Sequence, residues 1–201
     1  MKSAVARFYW SHLIGVRQVL DLGCSNGDLG RYKPASVQVY GLDLDPLLLA
    51  KAQHFEIVQE WDLDRPDPLP FPDDYFDAVV AKDILEHLQK PWRTLAETRR
   101  VMRPGGLLLA SVICERGHRT WSDYTHVRGF TMRSARQLFA DAGLEVLSTW
   151  RMGGVPLTSR LNVIGLIPYL LRFSPFDWLW TSSYEIKARR PAGDPAAGVK
   201  L

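Results

Sequence analysis

The segment VLDLGCSNG, residues 19–27, decides the fold class of this chain. An apolar run typical of a buried strand leads into a turn that holds Gly23 and Gly27. Glycine lets such a turn adopt a positive φ and lets a ligand approach the main chain closely. About twenty residues further on, a second apolar run ends in Gly41-Leu42-Asp43, where an acid can accept hydrogen bonds from both hydroxyls of a ribose. These two segments predict a nucleotide site at the ends of two parallel strands.

The glycine spacing distinguishes between classes of nucleotide. Gly23, Gly27 and Gly30 do not form the G-x-G-x-x-G pattern that dinucleotide-binding turns place around a pyrophosphate. S-adenosylmethionine contains adenosine but no phosphate, so its site needs no phosphate-binding turn. The turn therefore disfavours a nicotinamide dinucleotide and leaves a phosphate-free adenosine cofactor open.

Short apolar runs alternate with helical patterns along most of the chain, which is typical of an α/β fold with a doubly wound sheet. Helices are predicted at residues 46–53, 91–102 and 131–142, because Pro46 and Pro91 suit a first helical turn and Gly143 suits a helix end. Strands are predicted at residues 17–22, 37–42, 56–58, 76–81, 107–113, 143–150 and 184–189.

Length and composition fit one globular domain. The 201 residues carry a formal net charge of only +3, and no basic stripe interleaved with aromatic residues is present, so no nucleic-acid partner is predicted. Cys24 and Cys114 have no partner at metal-ligand spacing, so the sequence predicts no metal site and favours a reducing cytoplasm. We expect a single domain over residues 1–191, with an apolar insertion at 151–183 and a flexible tail at 192–201.

Four segments together have a more specific pattern. They are VLDLGCSNG, VYGLDLDP at 39–46, LPFPDDYFDAVVAKDILEHL at 69–88, and ETRRVMRPGGLLLASV at 97–112. In order and spacing they resemble the class I S-adenosylmethionine-dependent methyltransferases, in the type 11-like branch that acts on small molecules. The resemblance implies a Rossmann-like seven-stranded sheet with the last strand antiparallel, and S-adenosylmethionine as cofactor. One departure is Ser25, which replaces the middle glycine of the commonest G-x-G-x-G form.

The resemblance also implies roles for cofactor-binding residues. Asp21 and Gly23 would line the methionine end, with main-chain contacts from Gly23 and Cys24 in the turn that ends at Gly27. Asp83, just past the fourth strand, would lie near the same end.

At the adenosine end, Asp43 would hold the ribose, Leu44 would pack on the adenine, and Asp62 would accept from the adenine amino group. Two alternatives stay open. Asp43 could be a strand-end turn residue, and Asp62 could be a solvated acid in the run that includes Asp64 and Asp67.

The segment from Arg116 to Arg128, which follows the fifth predicted parallel strand, supplies the candidate acceptor residues. Ligands of open α/β sheets bind beyond the carboxyl ends of the strands. The segment resembles a loop of methyltransferase-like proteins associated with glycans and natural products. A hydroxyl acceptor benefits from a base, and histidine suits that task near neutral pH. We therefore assign His126 and Asp123 as candidate catalytic residues, with His118 as a further candidate. The alternative is that His126 only caps the helix that begins near Thr131.

Residues 161–180, LNVIGLIPYLLRFSPFDWLW, form the most apolar part of the insertion. Pro168, Arg172, Pro175 and Asp177 argue against a membrane span. A helical cover over the sheet, a lid over the acceptor, a homodimer surface and a segment at a membrane interface all fit this composition.

The sequence thus predicts methyl transfer from S-adenosylmethionine to a small molecule. The preferred acceptor is a hydroxyl oxygen of a sugar, glycan or natural product, and the apolar insertion would suit a lipid-linked one. Carbon or nitrogen methylation of a secondary metabolite is the alternative enzyme function. A non-catalytic S-adenosylmethionine-binding partner protein is the alternative from another class.

Overall fold

The computed structural model describes residues 3–116, 120–153 and 181–193. Within them the helices are α1 (Ser3–His12), α2 (Asp28–Arg31), α3 (Pro46–Leu49), α4 (Pro91–Val101) and α5 (Met132–Asp141). The strands are β1 (Gln18–Leu22), β2 (Gln38–Asp43), β3 (Ile57–Glu60), β4 (Phe76–Lys82), β5 (Met102–Ile113), β6 (Glu145–Gly153) and β7 (Thr181–Arg189).

All these strands belong to one seven-stranded sheet in the order β3-β2-β1-β4-β5-β7-β6. Strands β1 to β5 run parallel, and β7 is antiparallel to both β5 and β6. The predicted α/β fold with its last strand antiparallel is therefore confirmed. The chain progresses in opposite directions from β1 and β4, and ligands of open α/β sheets bind at such a switch point.

The central strands are apolar on both faces because helices cover both sides of the sheet. On one face, Leu20 and Val79 pack in a cluster with residues of α4 and α5. On the other face, Val19 and Val80 pack with residues of α1 and α2. The sheet is therefore buried on both sides, and its carboxyl edge remains to bind a ligand.

Two local differences from the predicted elements have clear physical causes. The sequence did not predict α1, whose many aromatic residues have modest helix propensity. Tertiary packing of Tyr9 and Trp10 against the sheet stabilises this helix instead. The helix predicted at 46–53 ends at Leu49, and the chain then turns toward β3.

The boundaries predicted for the apolar insertion, 151–183, are wrong at both ends. Strand β6 continues to Gly153 and β7 begins at Thr181, because Arg151 pairs with Tyr184 and Met152 with Ser183 in the same ladder. Residues 154–180, and with them the segment 161–180, lie outside the described residues, as do residues 194–201 of the tail. Among the helices that are described, none is long and apolar enough to cross a membrane.

Candidate functional site

The turn after β1 has the backbone that its glycines predicted. Gly23 and Gly27 have φ values of 70° and 79°, and Ser25 between them has 51°. A Cβ on Gly23 would come within 3.0 Å of the Ile84 side chain, so a larger residue would be both strained and crowded. The turn thus lies directly against the segment that follows β4.

Main-chain donors of this turn are already bonded within the protein. The N–H groups of Gly23 and Cys24 both donate to the Leu42 carbonyl, at 2.8 and 3.0 Å. Ser25 N donates to Asp43 Oδ2 at 2.7 Å, and Gly27 N donates to the Cys24 carbonyl at 3.0 Å. These donors cannot bind a pyrophosphate. Any ligand contact made by Gly23 or Cys24 therefore has to come from groups other than these N–H donors.

Asp43 lies at the end of β2 and holds the turn with its carboxylate. Its Oδ2 accepts from Ser25 N and its Oδ1 accepts from Asp45 N at 2.9 Å. Each carboxylate oxygen has a second lone pair, so two acceptor positions remain for ribose hydroxyls. The turn role and the ribose role are therefore compatible in this residue.

The candidate adenine contacts flank Asp43. Leu44 follows it directly and is 63% exposed, which is unusual for a leucine at the end of a buried strand. Trp61 N donates to the Asp43 carbonyl at 2.8 Å, so the loop after β3 lies beside the end of β2. Asp62 in that loop is exposed, and its Oδ1 accepts from Asp64 N at 2.9 Å. This arrangement offers an apolar surface and an acid next to the ribose position.

Asp21 supplies a buried carboxyl at the switch point. Burial and, as a smaller cause, the nearby charge of Asp43 raise its pKa to about 8, whereas Lys82 acts in the opposite direction. A bound cation would stabilise the ionised form of this carboxyl. S-adenosylmethionine carries an ammonium and a sulfonium, whereas a dinucleotide would bring a negative pyrophosphate. The acidic groups of the site therefore favour binding of S-adenosylmethionine and disfavour binding of a dinucleotide.

Asp83 has a constrained backbone just after β4. Its φ is 50°, its Oδ1 accepts from Ser111 Oγ at 2.5 Å, and its other carboxylate oxygen pairs with Lys82. These contacts orient Asp83 at the carboxyl edge, where β4 and β5 lie side by side. Asp83 follows β4, the strand that pairs with β1, which carries Asp21.

A second group of buried polar side chains lies around Lys82, and the sequence did not reveal it. Tyr9 donates from its hydroxyl to Glu185 Oε2 at 2.5 Å, which links α1 to β7. Burial raises the pKa of Glu86 to about 7 and raises that of Glu185, while it lowers that of Lys82. The available signal was Lys82 itself, a charge at the end of the apolar run of β4.

The candidate acceptor residues lie beside His87, in the segment that follows β4. His126 Nε2 lies 3.9 Å from Asp123 Oδ2, and the rings of His87 and His126 have centroids 4.6 Å apart. Val127 N donates to the Glu86 carbonyl at 3.0 Å, which joins the loop after β5 to the segment after β4. The structure thus brings His126 and Asp123 together and adds His87, which follows β4.

The helix-cap alternative for His126 is wrong. Thr131 caps α5: its Oγ1 accepts from Ser134 N at 2.9 Å, and its own N–H donates to Ser134 Oγ at 3.0 Å. The imidazole of His126 instead bonds through Nδ1 to the Thr120 carbonyl at 2.7 Å. His118, the further candidate, lies outside the described residues.

Comparisons with known proteins agree with this geometry. A family model described as a methyltransferase domain matches residues 20–110. A protein of Mycolicibacterium smegmatis named as a probable S-adenosylmethionine-dependent methyltransferase is 32% identical over 148 residues, covering 69% of this chain and 56% of that protein. A malonyl-[acyl-carrier protein] O-methyltransferase of Pseudescherichia vulneris is 29% identical over 138 residues, covering 66% of this chain and 53% of that enzyme. The chain therefore spans about half the length of these curated relatives.

Solved structures agree in fold. A SAM-dependent methyltransferase from Archaeoglobus fulgidus superposes with a TM-score of 0.73 at 18% identity, covering 92% of this chain and 91% of that one. These similarities, the matched sequence segments and the acidic site together define the class of protein. The chain belongs to the class I S-adenosylmethionine-dependent methyltransferases.

Proposed function

We propose that this protein transfers a methyl group from S-adenosylmethionine to a hydroxyl oxygen of a small molecule, with a sugar or glycan hydroxyl as the first candidate acceptor. The observation that carries the proposal is the pair His126 and Asp123 at the carboxyl edge of the sheet, beyond β5. A carbon or nitrogen nucleophile that is already reactive would have less need of such a pair.

The cofactor side of the proposal uses the acids at the switch point. When bound, S-adenosylmethionine supplies a methyl group that its sulfonium has already activated. Asp43 is proposed to hold the ribose hydroxyls, with Leu44 and Asp62 at the adenine. Asp21 and Asp83 are proposed to face the positive methionine end. The remaining task of the protein is to align the acceptor and exclude water.

His126 is proposed to take the proton of the acceptor hydroxyl. Its Nδ1 lies 2.7 Å from the Thr120 carbonyl, and a carbonyl can only accept, so Nδ1 carries the hydrogen. The lone pair is then on Nε2, the nitrogen that lies 3.9 Å from Asp123 Oδ2. The Asp123 carboxylate can stabilise the imidazolium that forms when Nε2 accepts the proton.

The apolar segment 161–180 is proposed to cover the acceptor, which would favour an apolar or lipid-linked molecule. It follows β6 and precedes β7, the strand that pairs with β5. A homodimer surface and a membrane-interface segment are the other proposed uses of this segment, and a cytoplasmic location fits all three.

The experiment needs an acceptor first, found by screening sugars, phenols and hydroxylated lipids with methyl-labelled S-adenosylmethionine. His126→Ala should then lower turnover by about two to four orders of magnitude, the usual size of general acid–base catalysis. Cofactor affinity should barely change, because the ribose and adenine residues lie on other loops. His126→Asn should be as impaired as His126→Ala, because an amide cannot accept the proton.

The matched control is His54→Asn, since His54 is an exposed histidine on the chain between α3 and β3 and asparagine tolerates its φ of 72°. It should keep parental turnover. Near-parental turnover in His126→Ala would refute the catalytic assignment. Cofactor binding with no methyl transfer to any acceptor class would favour the non-catalytic alternative.

A further inference from the structure

Three potential metal ligands converge beside the proposed acceptor position. His87, Asp123 and His126 each offer one ligand atom, and these atoms all lie within 4.8 Å of one another. His87 follows β4, whereas the other two follow β5, so the fold brings together residues that are distant in sequence. We propose that these side chains bind a divalent first-row transition-metal ion, in a site with two histidines and one carboxylate.

The tautomer of His87 follows from its hydrogen bonds. Thr125 Oγ1 lies 2.6 Å from Asp123 Oδ1 and 2.9 Å from His87 Nδ1. The hydroxyl has one hydrogen, which it donates to the carboxylate, so it accepts from His87 Nδ1–H. The lone pair of His87 is therefore on Nε2, the nitrogen that would bind the ion in this proposal.

His126 has the same arrangement. Its Nδ1–H donates to the Thr120 carbonyl at 2.7 Å, so its lone pair is also on Nε2. Histidines that bind metals almost always donate their other N–H to a carbonyl, a carboxylate or another fixed acceptor. Thr120 and Thr125 thus supply this second layer of contacts for the two imidazoles.

The three ligand atoms must move closer together to bind an ion. Two ligands about 2.0–2.1 Å from one ion are at most about 4.2 Å apart, so binding draws the three atoms together by roughly half an ångström or more. The Asp123 side chain is 49% exposed and can make this movement. Three protein ligands with one open side are the pattern of sites that also bind water or substrate.

The ligand types select the class of ion. Imidazole suits Zn²⁺, Fe²⁺, Ni²⁺ and Cu²⁺, whereas Mg²⁺ and Ca²⁺ prefer oxygen ligands. The site should therefore bind Co²⁺ or Zn²⁺ and leave Mg²⁺ unbound. This selectivity distinguishes a built site from a surface acid that attracts any cation.

The catalytic consequence rests on the proposed function, whereas binding of the ion does not. The Nε2 lone pair of His126 cannot hold a proton and an ion at once. With the ion bound, a coordinated acceptor hydroxyl loses its proton more readily to solvent. His126 then acts as a ligand and not as the base.

The first test uses Co²⁺ as the probe on full-length, untagged protein stripped with a chelator. We expect visible d–d bands that saturate at one ion per chain, heat on titration with Zn²⁺, and none with Mg²⁺. The absence of bands and heat up to millimolar ion would overturn the proposal. A thiolate-to-cobalt band in the near ultraviolet would also overturn it, because the ion would then be bound to Cys24 or Cys114.

The second test compares variants that keep cofactor binding. Loss of a hydrogen-bond partner of a metal ligand costs about 10–100-fold in metal affinity. Loss of a ligand itself, in Asp123→Asn or His87→Gln, should therefore cost at least about 100-fold. Thr125→Val should cost about 10–100-fold, and Thr125→Ser, which keeps the hydroxyl, should restore affinity. His54→Asn is the control and should bind like the parent. Equal losses in the control would refute the site.

If His87→Gln fails to fold, Asp123→Asn tests metal binding instead. The Asp123 side chain is half exposed and asparagine is nearly isosteric with it, so this variant should fold. The proposed metal site and the proposed enzyme function can be refuted independently. Ion binding without methyl transfer would support the site and refute the function. Methyl transfer that a chelator leaves unchanged would assign the proton to His126 and refute the catalytic role of the ion.

Discussion

Asp21 shows how one buried side chain links the cofactor site to stability. Its carboxyl is 3% exposed, and burial raises its pKa to about 8 in the folded, cofactor-free protein. In the unfolded chain an aspartic acid has its ordinary pKa of 3.8. Between these two values the folded state holds a proton that the unfolded state has released. Stability must therefore fall as the pH rises through this interval.

We expect Asp21→Asn to remove this pH dependence of the free energy of unfolding. In urea unfolding of the cofactor-free protein, the parent should lose stability between pH 5 and pH 8 more steeply than the variant. The slopes should differ by up to about 1.4 kcal/mol per pH unit. By pH 8 the variant should be the more stable protein, because it has no carboxylate to ionise in the core.

Asp67→Asn is the matched control, since this aspartate is exposed and pairs with Arg65 at the surface. Its unfolding curves should follow the parent at each pH. Parallel curves for the parent and Asp21→Asn would mean that Asp21 does not titrate in this range, and the argument from buried charge would fail.

The elements of the sheet were largely predictable because their signals are local. β1 and β4 appear as mostly apolar runs, and Pro91 begins α4 as expected. The cofactor roles that the resemblance implies for Asp21 and Asp43 stay predictions. The His87–Asp123–His126 cluster was not predicted, because it depends on how the loop after β5 folds back onto the segment after β4. A spacing of 36 to 39 residues carries no local signal for such a contact.

Helix α1 is the clearest case of an element that tertiary contacts determine. Tyr9 donates to Glu185 Oε2 at 2.5 Å, Trp10 Nε1 donates to the Leu29 carbonyl at 3.1 Å, and Lys187 Nζ donates to the His12 carbonyl at 3.1 Å. These bonds hold the helix against α2 and β7. None of them could be derived from the amphipathic pattern of a ten-residue segment.

We expect Tyr9→Phe to destabilise the protein by about 1–3 kcal/mol in urea unfolding, the cost of leaving a buried polar partner without its hydrogen bond. Glu185→Gln and the double variant complete a mutant cycle, in which the two effects should not add. Tyr124→Phe, at a side chain in a residue that is 97% exposed, should stay within about 0.5 kcal/mol of the parent. Additive effects would show that the Tyr9–Glu185 bond contributes nothing in solution.

At the scale of the whole molecule, the distribution of charge and of satisfied donors defines the ligand. The turn after β1 has used its Gly23, Cys24, Ser25 and Gly27 N–H groups, and acids lie at the switch point. A dinucleotide would find these four donors already bonded and would bring its negative pyrophosphate toward the acids Asp21 and Asp43. A cationic adenosine compound would find the acceptors that it needs, spread over β1, β2 and β4.

We therefore expect S-adenosylmethionine and its demethylated product to raise the melting temperature, and NAD to leave it unchanged. A ligand at 100 times its Kd stabilises a protein by about 2.7 kcal/mol. For a chain of this size, that corresponds to an increase of roughly 5–10 °C in a thermal melt. Asp43→Ala should reduce the shift, because losing hydrogen bonds to a charged acceptor costs about 2–3 kcal/mol of cofactor binding. Asp67→Asn should show the parental shift. An increase with NAD and none with either adenosine compound would contradict the assignment of the site, and a parental shift in Asp43→Ala would leave Asp43 as a turn residue only.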